Sequence, residues 1–172
     1  MLRVFSVYLF LTIFQAVTSQ IPENCRRPPP GGVTPVDCCK LPTIFTDEDY
    51  KECGIEKGPL PKTRGPEVCS EHVCILKRYK LMKDDDIVDR EALAKFLDDW
   101  ANKNPEFKDA MEQTKKKCLD KELPGPPEIC EANKIGFCTL VVTFDNCPTM
   151  VDSAECNKLK EHMDSCKAFY PF

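Results

Sequence analysis

Twelve cysteines and two histidines are the residues of this 172-residue chain with the most specific chemistry. Cys25, Cys38, Cys39, Cys53, Cys69, Cys74, Cys118, Cys130, Cys138, Cys147, Cys156 and Cys166 form an even set. In an oxidising compartment such a set reads as six disulfides rather than thiols or zinc ligands. Twelve cysteines allow on the order of ten thousand pairings, so the count alone gives no connectivity. His72 lies between Cys69 and Cys74, where a Cys/His zinc site is conceivable, but disulfides take precedence in a secreted chain. His162 reads as a solvated residue of the last helix. No His-Asp pair follows the vicinal Cys38 and Cys39, and no G-x-S-x-G or H-E-x-x-H motif supplies a nucleophile or base. The reading is therefore no enzyme, no catalytic residue, no metal and no cofactor. Asp84 to Asp86 lacks the alternating acids and central Gly of a calcium loop. A formal net charge of -4 without a basic stripe argues against nucleic acid as a partner.

These cysteines need a compartment and a scaffold. Arg3 followed by the apolar run Val4 to Phe14 reads as a secretory signal peptide over residues 1–19, cleaved after Ser19. The run is far shorter than the roughly 20 residues that span a bilayer, so no stable membrane insertion is expected. Residues 20–172 then form one secreted, extracellular domain.

Along that domain, Gln20 to Pro42 reads as irregular, because Pro28, Pro29, Pro30 and Pro35 deny it helical backbone. Thr46 before Asp47, Glu48 and Asp49 reads as a helix cap, with the helix running to about Cys53. Pro66 opens a helix to about Met82, and a third runs from about Asp89 to Asn102 with Leu93, Phe96, Leu97 and Trp100 on one face. Pro105 starts a fourth, stopped by Leu123 to Pro127. Glu128 to about Phe144 reads as a fifth, although Leu140 to Thr143 is β-branched enough for a short strand. The last begins near Asp152 or Ser153, with Glu155 as capping partner and Ala168 to Phe172 as its tail. The fold class is all-α: about six short helices joined by proline-rich loops and stapled by disulfides.

Cys69, Cys74, Cys118, Cys138 and Cys147, preceded by Cys38 or Cys39, resemble the six-cysteine frame of insect odorant-binding proteins. The gaps of 43 residues between Cys74 and Cys118 and eight between Cys138 and Cys147 carry that resemblance. Six further cysteines, Pro148 after Cys147 and a stapled extra C-terminal helix are similar to the twelve-cysteine Plus-C subfamily. The resemblance implies the pheromone/general odorant-binding fold and an interlocked pairing: Cys39 or Cys38 with Cys74, Cys69 with Cys138, and Cys118 with Cys147. Cys69 and Cys74 enclose four residues where the family usually has three. Five steps of a helix turn the second sulfur by about 140° from the first, so a bulge, a kink or altered pairing is expected.

What the resemblance implies functionally is a carrier of small hydrophobic molecules (odorants, pheromones or related lipids) through aqueous lymph, with an olfactory receptor as a further partner. The expected walls of an internal apolar cavity are Leu76, Tyr79, Met82, Leu93, Phe96, Trp100, Phe107, Met111, Phe137, Val141 and Phe144. Trp100 and Tyr79 would offer polar handles to a guest. The alternative is a secreted disulfide-rich interaction protein, such as a protease inhibitor or salivary effector, presenting Lys62 and Arg64 on the Gly58 to Gly65 loop.

Overall fold

The computed structural model describes residues 21–27, 32–55, 66–83, 87–125 and 129–169. The signal peptide, the Lys62 and Arg64 loop, the acidic run 84–86 and Tyr170 to Phe172 lie outside them. Among the described residues there are eight α-helices: α1 (Glu23–Arg26), α2 (Pro35–Cys38), α3 (Asp47–Glu52), α4 (Pro66–Arg78), α5 (Arg90–Lys103), α6 (Lys108–Thr114), α7 (Glu131–Asp145) and α8 (Ala154–Cys166). No strand forms among these residues, only two isolated bridges, Cys39 with Met150 and Met82 with Val88. None of the helices is long and apolar enough to cross a membrane.

The helices begin where side chains can satisfy free backbone amides. Thr46 and Asp49 form a reciprocal capping box on α3, Asp89 caps α5 through the Ala92 amide, and Ser153 caps α8 through Cys156. Glu155 takes no part in that last cap. The arm before Pro42, expected to be irregular, holds two one-turn helices. The second is fixed by a Thr34 and Asp37 capping box with Pro35 at its first position. Helix α4 stops at Arg78, before the expected Met82. Lys80 adopts φ 57°, which reverses the chain, and Met82 joins a bridge instead. The helix after Asn104 is compound: a 3-10 turn over Pro105–Phe107, then α6, then a π-helical segment over Lys115–Leu119. No apolar period signals that wide turn.

All twelve cysteines are bridged, and the pairing differs from the expected one. The bonds are Cys53 with Cys74, Cys69 with Cys130, Cys118 with Cys138, Cys39 with Cys147, Cys38 with Cys156 and Cys25 with Cys166. None of the three expected pairs forms. The interlocked order nevertheless occurs, first with third, second with fifth and fourth with sixth, on the frame Cys53, Cys69, Cys74, Cys118, Cys130 and Cys138. Cys38, Cys39 and Cys147 belong to a second set that joins the N-terminal arm to the C-terminal end. The separation of Cys69 and Cys74 needs no bulge: α4 is regular, and its two sulfurs face different partners, the loop before α7 and the end of α3.

Helix α7 is the centre. It packs against α2, α4, α6 and the π segment. Ile135, Cys138 and Val142, each at most 2% exposed, form its inner stripe. At Gly136 a Cβ would approach the His72 ring to 3.0 Å, so glycine lets α4 lie close.

Candidate functional site

Seven of the expected wall residues are buried: Leu76, Leu93, Trp100, Phe107, Met111, Val141 and Phe144. Six of these share one core cluster, against which Tyr79, Met82 and Phe96 pack half-buried. Val141 is buried outside that cluster. Phe137 is the correction: at 41% exposed it lies on the outer flank of α7, one position before the inner stripe at Cys138. The ring of Trp100 meets Phe107 edge to face at 5.5 Å. Tyr79 and Phe96 meet at 5.3 Å, and Phe45 joins both, at 5.0 Å from Tyr79 and 5.7 Å from Phe96.

Neither expected polar handle is free. The Trp100 indole N–H donates to the Thr43 carbonyl at 3.2 Å. The Tyr79 hydroxyl donates to Asp49 at 2.5 Å, and the Thr46 hydroxyl donates to the same oxygen at 2.6 Å. Arg78 Nε donates to the other oxygen at 2.9 Å, and its Nη1 to Glu52. Asp49 is 7% exposed. Its hydrogen bonds from Thr46, then Tyr79, then Arg78 outweigh burial and hold the carboxyl well below the usual carboxylate range. The same bond to Asp49 raises the Tyr79 phenol above its ordinary value. This network, which the sequence does not announce, locks α3 to the end of α4.

A second unannounced anchor is Arg90. It donates to Glu131 at 2.7 and 2.9 Å and to the Leu119 and Lys121 carbonyls at 2.8 and 2.5 Å. The starts of α5 and α7 are thereby tied to the end of the π segment.

Two buried polar atoms have no partner among the described residues: the hydroxyls of Thr114 on α6 and Thr143 on α7. They are 0% and 2% exposed. Thr114 lies one turn beyond Met111, and Thr143 stands between Val142 and Phe144. An orphaned buried hydroxyl costs about 1 to 3 kcal/mol, so such groups call for an explanation. A recess bounded by the π segment, α7 and α8 has an apolar floor of Val141, Val142, Phe144 and Met163. Its volume is about 30 Å³. A water needs roughly 10 to 15 Å³ on the same measure, so a whole odorant does not fit there.

The described residues thus define a small all-helical domain with a continuous apolar core and six bridges. No family model matches the chain. It is 22% identical over 144 residues to General odorant-binding protein 68 of Anopheles gambiae, a match covering 75% of this chain and 68% of the mosquito protein. With its helical architecture and twelve bridged cysteines, the protein resembles the insect odorant-binding proteins of the Plus-C type.

Proposed function

We propose that this protein is a secreted, non-enzymatic carrier that reversibly takes small hydrophobic molecules into its helical core and moves them through an aqueous lymph. The resemblance to an odorant-binding protein supports a small-ligand carrier. The dense disulfide set supports an extracellular setting. The observation that carries the reading is the pair of unpartnered hydroxyls, Thr114 and Thr143, inside an otherwise apolar core. An alcohol, aldehyde or ester lodged beside Met111 and Phe144 gives them a partner and surrounds its own chain with apolar side chains.

The guest opens its own space between the buried side chains. Opening about 200 Å³ costs about 5 kcal/mol. Removing roughly 400 Å² of a ten-carbon guest from water returns about 10 kcal/mol. The surplus of about 5 kcal/mol corresponds to sub-millimolar affinity.

Thr114→Val tests this through the empty and the loaded protein. Removing an orphaned hydroxyl at constant shape raises the stability of the empty protein by about 1 kcal/mol or more. The same change weakens decanol several-fold and leaves an alkane of equal length unaffected, read by displacement of N-phenyl-1-naphthylamine. Unchanged decanol affinity in both Thr114→Val and Thr143→Val contradicts the reading.

A further inference from the structure

The recess between the π segment, α7 and α8 carries chemistry that an uncharged guest does not use. Its rim holds three lysines and two aspartates: Lys117, Lys160, Lys167, Asp145 and Asp164. Two of the lysines are matched. Lys167 donates to both oxygens of Asp145 at 2.8 and 2.6 Å, and Lys160 to both oxygens of Asp164 at 3.4 and 3.1 Å. Lys117 has no acidic partner among the described residues and is half-buried. Lys115, two positions earlier, is committed to Asp98 and Glu112 at 2.5 and 2.9 Å. Among the described residues the rim therefore carries one uncompensated positive charge, beside apolar side chains, in a chain whose net charge is -4.

We infer that this recess binds the head group of an amphiphilic carboxylate, a medium-chain fatty acid, with Lys117 as its counter-ion. An ammonium without an acidic partner, set beside apolar side chains, favours an anion more than one already paired does. The single cation suits a monoanion. Val141, Val142, Phe144 and Met163 suit an alkyl chain, and the open charged rim suits a carboxylate. The α8 side of the recess is fixed, because Cys38 with Cys156 and Cys25 with Cys166 pin both ends of that helix. This site shares Phe144 with the interior carrier site but uses neither Thr114 nor Thr143.

Calorimetry on the oxidised protein with sodium octanoate and methyl octanoate decides the matter. Octanoate is expected to bind about ten-fold more tightly than its methyl ester. Lys117→Gln removes that preference, whereas Lys116→Gln, on the exposed neighbour, leaves it intact. Met163→Glu, which sets a carboxylate on the floor, abolishes octanoate binding while the helical circular dichroism stays unchanged. Octanoate and ester binding alike, or octanoate binding unaltered in Lys117→Gln, overturns the inference. Displacement of N-phenyl-1-naphthylamine by decanol, measured in parallel, depends on Thr114 and Thr143 and is expected to be unchanged in Lys117→Gln, so failure of one site is distinguishable from failure of the other.

Discussion

Three bridges lie between Cys53 and Cys138 and join residues 20, 21 and 61 positions apart. The other three join residues 108, 118 and 141 positions apart and run from the N-terminal arm to the C-terminal end. The inner set interlocks α3, α4, the π segment and α7 around the core. The outer set clasps α1 and α2 to α8 and its approach, closing the molecule over α7. Span alone would make the outer bridges the stronger ones, since in a chain-entropy account a 100-residue loop contributes about 4.7 kcal/mol and a 15-residue loop about 3. But the outer bridges share their ends: Cys38 and Cys39 are adjacent, and their partners Cys156 and Cys147 are nine positions apart. Each therefore backs up the others. What matters for a bridge is the loop that opens when it alone is cut.

Cutting one bridge from each set separates the two regions by stability. Cys69→Ala with Cys130→Ala opens a long loop that no other bridge spans closely, and is expected to cost about 4 kcal/mol. Cys38→Ala with Cys156→Ala opens only a short one and costs less, about 3 kcal/mol or below, despite the longer separation. Denaturant unfolding of the two variants measures the order, and the reverse order defeats the account.

The next effect tests packing under the clasp. Leu159 on α8 is 0% exposed. Leu159→Ala is expected to cost about 3 kcal/mol. Limited proteolysis should then cut α8 before the inner helices. Simultaneous cutting of both would show that the two regions unfold as one.

Acid separates the regions differently. A carboxyl whose folded value is depressed contributes stability that is present above its unfolded value and lost as pH falls toward the folded one. Asp49 stands at the edge of the inner set, so stability is expected to decline as pH drops below the ordinary carboxylate range. Asp49→Asn flattens that decline, read by thermal unfolding between pH 5 and pH 2. An identical decline in the variant assigns the acid sensitivity elsewhere.

The smallest effect concerns the contact of α4 with α7. Gly136→Ala gains helix propensity but meets His72, so the two terms offset and stability stays nearly level. With His72→Ala already present, the same change is expected to stabilise by about 1 kcal/mol. Equal effects in both backgrounds would show that the ring does not limit the approach.

Most of the helical scaffold was legible because its signals are local. The cap at Thr46 and the proline stops each act within a few residues, and the apolar face from Leu93 to Trp100 spans two turns. The rest depends on residues distant in the chain. Asp49 meets Arg78 and Tyr79 across 29 and 30 positions, and Arg90 meets Glu131 across 41. The cysteine frame was read in the right order with two wrong members, Cys38 or Cys39 in place of Cys53 and Cys147 in place of Cys130, because spacing along a chain cannot say which cysteine faces which helix. Periodicity placed ten of the eleven expected wall residues at or against buried surface. It misplaced Phe137, which neighbours the inner stripe without belonging to it. The orphaned hydroxyls of Thr114 and Thr143 had no signal at all, since a threonine in an apolar stretch reads as an ordinary helix residue.

Whether a guest lodges inside the bundle is read from co-crystals of the oxidised protein with 10-bromodecanol, with the bromine located by anomalous scattering and the hydroxyl by density. The hydroxyl is expected within hydrogen-bond reach of Thr114 or Thr143 and the chain against Met111 and Phe144. Bromodecanol found only on the surface, or absent from crystals that leave the core unchanged, would contradict that expectation.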